Sequence, residues 1–367
     1  MKLKSPSTIA CVSLVLLFNY CTSSTTVKTK YIPQVIAYYS GDGTSIQNYD
    51  LEGVDQLIYS FLHLKGNKLA VDNVQDSISL QHLTGLKTIY PKLKVLVSLG
   101  GWGGCKTCSE VFNTSEGRKE FAASTAQIIA DYNADGIDLD WEYPVVQGPP
   151  GHLYQEADRD NFTKLMLQLR QHLPEKSLLS FAAGGFPEYL ERAIDWEKVM
   201  PLVDYANLMS YDMVGGYSKT TGHHTPLYST PTQIRSADQA IQYLINQGVP
   251  AQKIIIGAAF YGRIFENVPP MNQGLYQSGN FKRGVNQIHF DSITQNFQFY
   301  WDDIAKAPYA YDEENQLFLT YDNKRSIVLK TEYAKKEKLG GIMFWQLMND
   351  KYQNGLLKTL VTTAKGD

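Results

Sequence analysis

The chain has 367 residues, of which 43% are hydrophobic and 19% are charged, so it can bury the core of one large barrel or of two ordinary domains. The formal net charge of −3 excludes the basic surface typical of nucleic-acid-binding proteins and favours an uncharged partner. Aromatic residues make up 12% of the chain, which suits a cleft for sugar rings but is equally typical of a packed core.

The first 21 residues have the pattern of an export signal. Lys2 and Lys4 precede the short apolar run Ile9–Phe18, which is far shorter than the roughly 20 residues needed to cross a bilayer. Because the run is soon followed by Cys21, the sequence predicts either a plain signal peptide or a lipoprotein signal, with residues 22–33 as a polar linker. We therefore expect a secreted protein or an outer-membrane or periplasmic lipoprotein, attached to a membrane only through a lipid on Cys21.

Eight short apolar segments follow, most of them rich in β-branched or aromatic residues as buried strands are. They are Gln34–Tyr39, Gln56–Leu62, Lys94–Leu99, Gly136–Glu142, Leu178–Ala183, Tyr205–Tyr211, Ile254–Phe260 and Gly341–Trp345. Helical spacing of apolar residues lies between several of them, in Ser115–Tyr132, Arg159–His172, Ser236–Gln247 and Tyr333–Lys338. Strands that alternate with helices in this way predict an α/β fold, a (β/α)8 TIM barrel over residues 34–362.

The interval between the seventh and eighth predicted strands is much longer than any other. Residues 265–321 within it are rich in Gly, Asn, Gln and aromatic residues and show little helical periodicity. This stretch predicts a small α+β insertion between strand 7 and strand 8. No internal repeat is present, and we expect one barrel with an inserted lobe, acting as a monomer.

Cysteine usage is sparse, with four in the chain. Cys11 and Cys21 lie in the predicted signal, and Cys105 and Cys108 form a C-x-x-C pair. Such a pair is compatible with redox chemistry or with half of a zinc site, but no second pair completes a four-thiolate site. In an exported chain, a local disulfide between Cys105 and Cys108 is the favoured interpretation.

Three carboxylic side chains alternate along the fourth predicted strand and so share one face: Asp138, Asp140 and Glu142. An acidic face is commonly solvated, and three acids can bind calcium. A barrel strand has no solvated face, however, and a rigid strand suits a calcium ion poorly. Three crowded carboxyls cannot all ionise cheaply, so at least one keeps a proton, as a general acid must. Glu142 lies nearest the C-terminal mouth of the barrel, where active sites form.

The pattern Asp135-x-x-Asp138-x-Asp140-x-Glu142 closely resembles the signature of the family-18 glycoside hydrolases, the chitinase family. Four further segments resemble motifs of that family at the ends of other strands: Ser98–Trp102, Met209–Asp212, Tyr261–Arg263 and Gly341–Trp345. The resemblance extends from about Gln34 to Leu360, and the insertion is similar to the α+β lobe of bacterial and animal chitinases.

The resemblance implies hydrolysis of β-1,4 linkages between N-acetylglucosamine units of chitin or chitooligosaccharides, with retention and with the substrate's own acetamido oxygen as nucleophile. On this basis Glu142 protonates the leaving oxygen. Asp140 orients the acetamido group, Asp138 shares a proton with Asp140, and Tyr211 binds the acetamido carbonyl. No cofactor and no metal ion are expected.

The resemblance also implies substrate-binding and supporting residues. Trp345 is expected as the floor of the cleft, and Asp212 and Arg263 as hydrogen-bonding partners of the sugars. The remaining predicted substrate-binding residues are Met209, Trp102, Tyr38, Phe61 and Tyr143. Of these, Tyr38, Phe61 and Trp102 are candidate stacking surfaces, with packing in the core as the alternative for Tyr38 and Phe61. The expected supporting residues are Ser98, Gly100, Gly101 and Asp135.

Two other functions fit the same barrel. A non-catalytic chitin-binding lectin is disfavoured because such relatives typically lack an acid at the position of Glu142. An endo-β-N-acetylglucosaminidase acting on other glycans shares the carboxylate pattern. That class usually lacks the insertion and the motifs around Arg263 and Trp345.

Overall fold

The computed structural model describes Met1 and residues 31–366, and its central feature is a closed barrel of parallel strands. The described residues form fourteen strands, of which eight make up the barrel. In chain order the strands are β1 (Gln34–Tyr39), β2 (Gln56–Lys65), β3 (Lys68–Ala70), β4 (Lys94–Gly100), β5 (Gly136–Asp140), β6 (Leu178–Gly184), β7 (Tyr205–Met209), β8 (Ile254–Ala259), β9 (Tyr261–Glu266), β10 (Asn280–Asn286), β11 (Gln298–Asp302), β12 (Ala307–Asp312), β13 (Leu317–Thr320) and β14 (Gly341–Trp345). The order β1-β14-β8-β7-β6-β5-β4-β2 closes because β1 also pairs with β2. The predicted TIM barrel is confirmed.

The helices cover the outside of the barrel, apart from one short helix between β10 and β11 of the inserted lobe. They are α1 (Val74–Gly85), α2 (Cys108–Asn113), α3 (Ser115–Tyr132), α4 (Asp158–His172), α5 (Pro187–Arg192), α6 (Trp196–Val199), α7 (Ala237–Asn246), α8 (Phe290–Ile293), α9 (Lys324–Lys336) and α10 (Leu356–Lys365). The bounds of α3 follow from its ends, because the Thr114 side chain accepts a hydrogen bond from the Gly117 amide and Asn133 ends the helix in the left-handed region, at φ 52°.

The helix before the last barrel strand is longer than the sequence predicted. Tyr333–Lys338 was expected, whereas α9 begins at Lys324. The Asn323 side chain accepts a hydrogen bond from the Ser326 amide, and the Ser326 side chain pairs in return with the Asn323 backbone. This reciprocal cap starts the helix in a polar stretch that apolar periodicity does not reveal.

The barrel strands are apolar because neither face meets water. All six residues of β8 are buried. Inside the barrel, Ile36, Ile58, Leu96 and Met343 belong to one apolar cluster, while a larger cluster fills the layer between strands and helices. Each fully buried side chain of this kind contributes about 1.5–3 kcal/mol to the free energy of unfolding.

The fourth barrel strand ends earlier than predicted. β5 stops at Asp140, and Glu142 lies on the segment that follows it. The last pair of the ladder with β4 joins Gly100 to Asp140, after which the neighbouring chain turns away, since Gly100 and Gly101 adopt φ 109° and 75°. β7 likewise ends at Met209, before Tyr211. Glu142 and Tyr211 therefore lie on loops over the barrel mouth.

The inserted lobe is a five-stranded antiparallel sheet in the order β10-β9-β13-β12-β11. It begins at Tyr261, slightly before the predicted start at Phe265. Side chains alternate between its two faces, so that Ile264 and Leu319 pack in one cluster while Phe265 and Phe318 pack in another.

No helix within residues 31–366 is both long enough and apolar enough to cross a membrane. The predicted export signal, the start of the linker and the lipid attachment at Cys21 lie outside the described residues. They stay predictions.

Candidate active site

A cleft of about 780 Å³ opens at the C-terminal end of the barrel. It brings together most of the residues singled out from the sequence: Phe61, Trp102, Asp140, Glu142, Tyr143, Met209, Tyr211, Asp212, Arg263 and Trp345. Further residues complete the lining: Phe186, Tyr217 and Arg235 on loops, Glu188 on α5, Tyr261 on β9 and Phe281 on β10. Of these, Tyr261 belongs to a segment singled out from the sequence. No local pattern identifies the others, because their positions depend on the folding of the loops and of the inserted lobe.

Asp138 lies at the base of the site, fully buried, where four side chains donate hydrogen bonds to it. Tyr38 and Ser98 donate to Oδ2 at 2.9 and 3.3 Å. Ser180 and Asn207 donate to Oδ1 at 2.6 and 2.9 Å. Burial raises the pKa of Asp138, and these four hydrogen bonds oppose that rise by stabilising the carboxylate. This pocket of donors favours a negative charge on Asp138.

Sequence reasoning missed Ser180 and Asn207. Strand register explains both, because Ser98 pairs with Asp138 and Asp138 pairs with Ser180 across adjacent strands. Asn207 follows two positions after Tyr205, which is the partner of Ser180 on β7. The sequence feature that could have identified Ser180 and Asn207 is a single polar residue within each of two otherwise apolar strands.

Asp140 differs from Asp138 in its surroundings. It is 5% exposed, and its Oδ1 atom has no hydrogen-bond partner within the described part of the chain. Burial, followed by the charges of Glu142 and Asp138, raises the pKa of Asp140 well above its usual value. With four donors on one carboxyl and an unpaired oxygen on the other, a proton shared by the pair is held more favourably by Asp140 than by Asp138.

Glu142 lines the open cleft although it is only 8% exposed. Burial raises the pKa of Glu142 to about 7; a hydrogen bond with Tyr143 lowers it in part, and the charge of Asp212 raises it further. A carboxyl with such a pKa holds a proton in a large fraction of molecules at neutral pH and can donate it to a bound molecule.

Asp212 adopts φ 57° directly after Tyr211 and turns its carboxylate toward the lobe. Arg263 Nε donates to Asp212 Oδ1 at 2.5 Å, and the guanidinium also lies 5.4 Å from the Phe281 ring. Burial would raise the pKa of Asp212, but the nearby His224 imidazole and the hydrogen-bonded Arg263 guanidinium hold that pKa below its usual value. Asp212 is therefore a fixed negative charge beside the cleft.

Aromatic rings form the floor and one wall. Trp345 stacks on Phe61, with ring centroids 5.4 Å apart and an angle of 16° between the planes. Gly101, at φ 75°, lies so close to the Phe61 ring that a side chain there would collide with it. Trp102 is 54% exposed and lies 6.4 Å from Tyr217. These faces suit flat apolar surfaces such as those of sugar rings.

One stacking prediction is wrong. Tyr38 is only 2% exposed and does not line the cleft, because its hydroxyl points to Asp138 beneath the floor. Asp135 lies away from the cleft, at the N-terminal end of the barrel, where it accepts hydrogen bonds from Lys87, Lys94 and the Val95 amide. It ties two neighbouring strands together.

The glycines and cysteines beside the carboxylates support the backbone. Gly101 N donates to the Asp140 carbonyl oxygen at 2.9 Å, and a side chain at Gly100 would collide with the same oxygen. Cys105 and Cys108 form a disulfide with a Cα–Cα distance of 5.2 Å. Among residues 31–366, no group of three or more His, Cys, Asp or Glu side chains could hold a metal ion.

Comparison with known proteins identifies similar chains. A model of the glycosyl hydrolases of family 18 matches residues 34–350. Chitinase A1 of Niallia circulans is 33% identical over 79% of this chain and 44% of its own length, so the chain spans less than half of that relative.

Two of the similar solved structures share both the fold and more than 30% of the aligned sequence. The family-18 N-acetylglucosaminidase from Paenibacillus barengoltzii has a TM-score of 0.82 at 33% identity, covering 90% of this chain and 99% of that one. Chitinase ChiW from Paenibacillus sp. strain FPU-7, described as a cell-surface-expressed multi-modular enzyme, has a TM-score of 0.82 at 31% identity. Its match covers 91% of this chain and 43% of that one.

Proposed function

The chain belongs to the glycosyl hydrolases of family 18, and on that premise we propose that it hydrolyses β-1,4 linkages between N-acetylglucosamine units in chitin or chitooligosaccharides, with retention. The observation that carries the proposal is the position of Glu142 at an open cleft beside Asp140, where burial raises the pKa of both carboxyls.

Glu142 is the proton donor of this proposal. Its pKa of about 7 leaves the acid form available at neutral pH, so it protonates the glycosidic oxygen as the bond to the leaving sugar breaks. The resulting carboxylate then accepts a proton from the water that opens the intermediate, which restores the acid form.

The acetamido group of the substrate is the nucleophile, as in the substrate-assisted mechanism of this family. The unpaired Oδ1 of Asp140 is available to accept the acetamido N–H and to balance the positive charge that develops on it. The Tyr211 hydroxyl, whose nearest partner is the Met343 sulfur at 3.9 Å, is available to donate to the acetamido carbonyl. Asp138, held by four donors, takes up the shared proton when Asp140 ionises.

The sugars bind between aromatic faces and polar groups. Trp345 supports the sugar at the cleaved bond, with Phe61 stacked beneath it. Asp212 and Arg263 offer hydrogen bonds to neighbouring sugar hydroxyls. Met209, Trp102 and Tyr143 complete the proposed contacts. A sugar without a 2-acetamido group lacks the nucleophile, so cellulose is not a substrate.

We place the protein outside the cytoplasm, as a monomer whose partner is the carbohydrate. The similarity to a cell-surface-expressed chitinase supports this location. Lipid attachment at Cys21 is a separate part of this proposal. Expression of the protein in cells grown with a labelled fatty acid tests it, because a lipidated protein incorporates the label.

A second candidate is release of single N-acetylglucosamine residues. The similarity to an N-acetylglucosaminidase favours it, because the match covers 99% of that chain. The two candidates share every catalytic residue and differ only in the product.

Chromatography of the products from N-acetylglucosamine hexamer tests the proposal. We expect mainly dimer, whereas monomer as the first product supports the second candidate. Cellohexaose is the matched control substrate, since it has the same linkage without the acetamido group. Hydrolysis of cellohexaose at a comparable rate, or no hydrolysis of either hexamer, contradicts the proposal.

A further inference from the structure

His224 is a fully buried side chain whose two ring nitrogens have no hydrogen-bond partner among the residues that the structure describes. A buried polar group without a partner costs folding free energy, so its retention calls for a role. The neighbouring His223 has an ordinary explanation, because its Nε2 pairs with Asp302 Oδ2 at 3.0 Å.

The backbone around His224 fixes the ring in place. Its amide donates to Thr320 Oγ1 at 2.9 Å, and its carbonyl accepts from the Met213 amide at 3.0 Å. The ring packs against Tyr261 with centroids 5.2 Å apart. From there Nδ1 lies 3.5 Å from Asp212 Oδ1, the same oxygen that accepts from Arg263.

Building on the proposed function, we propose that His224 is a positioning residue which, together with Arg263, holds Asp212 Oδ1 so that Oδ2 faces the substrate and the carboxylate charge stays directed at Glu142. A small shift of the carboxylate brings Nδ1 within hydrogen-bond distance. Without this donor, Arg263 is left to hold Asp212 Oδ1, and the carboxylate can rotate about that hydrogen bond.

Burial favours the neutral imidazole of His224 in this role. Burial lowers its pKa, Asp212 and Asp322 raise it, and Arg263 lowers it. Asp322 is itself paired with the buried Lys330 at 2.6 Å, which offsets part of its charge. A neutral imidazole with a proton on Nδ1 can donate to Asp212.

The decisive comparison uses three substitutions of one residue. His224→Phe keeps the ring that packs on Tyr261 but removes both nitrogens. His224→Asn restores an amide nitrogen where Nδ1 lies, and His224→Gln places it near Nε2 instead. His223→Phe is the matched control, since it removes a neighbouring buried imidazole that contacts the lobe.

The readout is the pH dependence of kcat/KM on N-acetylglucosamine hexamer, with circular dichroism and thermal unfolding to check folding. We expect His224→Phe and His224→Gln to lose about 10-fold in kcat/KM, the low end of the contribution of a hydrogen bond to a charged group. Their basic limb should move to lower pH, because a rotated Asp212 no longer raises the pKa of Glu142. His224→Asn should recover both quantities.

His223→Phe is expected to lower thermal stability without moving either limb. The inference is wrong if folded His224→Phe keeps the parental pH profile, or if His224→Asn and His224→Gln behave alike. A parent inactive on all chitooligosaccharides contradicts the proposed function as well, whereas an active parent with an unaffected His224→Phe contradicts this inference alone.

Discussion

Ser180→Ala tests how the site divides its protons between two carboxyls. Ser180 makes the shortest hydrogen bond to Asp138, at 2.6 Å, and alanine removes that donor with little change in volume. A hydrogen bond to a charged group is worth about 1.5–3 kcal/mol, and a pKa unit corresponds to about 1.4 kcal/mol. The pKa at which the Asp138–Asp140 pair takes up a second proton should therefore rise by about one to two units.

The sign of the effect follows from the role of the pair. Activity requires one negative charge on Asp138 and Asp140, so it is lost as the pH falls through the pKa for the second proton. Because Ser180→Ala destabilises the Asp138 anion, the acid limb of kcat/KM should move to higher pH. The basic limb, set by Glu142 with a pKa of about 7, should stay in place.

Ser98→Ala is the matched control, since its hydroxyl donates to the same carboxyl over a longer distance, 3.3 Å. The assay is hydrolysis of N-acetylglucosamine hexamer at a series of pH values, with the parent and both variants checked for folding. We expect a smaller shift for Ser98→Ala than for Ser180→Ala. An unmoved acid limb in Ser180→Ala, or a larger shift in Ser98→Ala, would refute this account of Asp138.

Asp212→Asn removes a charge that raises the pKa of Glu142, so the basic limb of kcat/KM should move below its parental position; a basic limb that stays or rises contradicts the assignment. Lys330→Met leaves the fully buried carboxylate of Asp322 without its cation, and urea denaturation should show a free energy of unfolding lower by about 3–5 kcal/mol; unchanged stability contradicts the ion pair. Gly101→Ala places a side chain at φ 75° against an aromatic ring, so it should lose about 1–2 kcal/mol of stability and part of kcat/KM; parental values for both would contradict the close packing.

Periodicity in the sequence predicts the barrel because buried parallel strands are apolar on both faces. The same logic draws attention to Asp138, Asp140 and Glu142, since carboxyl groups at every second position along a buried segment are not explained by contact with water. The bounds of α3 were also predictable, because Thr114 and Asn133 have the chemistry of helix ends.

Contacts that depend on strand register could not be predicted in the same way. Ser180 and Asn207 reach Asp138 only because barrel closure brings β6 and β7 to a particular level beside β5. The resemblance made Tyr38 a candidate stacking surface, but an aromatic residue in a barrel strand can point either to the cleft or to the core. Its direction follows from its hydrogen bond to Asp138.

The central claim is that Glu142 hands its proton to the departing sugar, and the leaving group offers the most direct test. We predict that Glu142→Gln slows hydrolysis of N-acetylglucosamine hexamer by about 10²–10⁴-fold, the usual contribution of a general acid. It should slow a 2,4-dinitrophenyl glycoside of the dimer far less, because that leaving group departs without protonation. Undiminished turnover of the hexamer, or an equal loss on both substrates, would contradict the assignment.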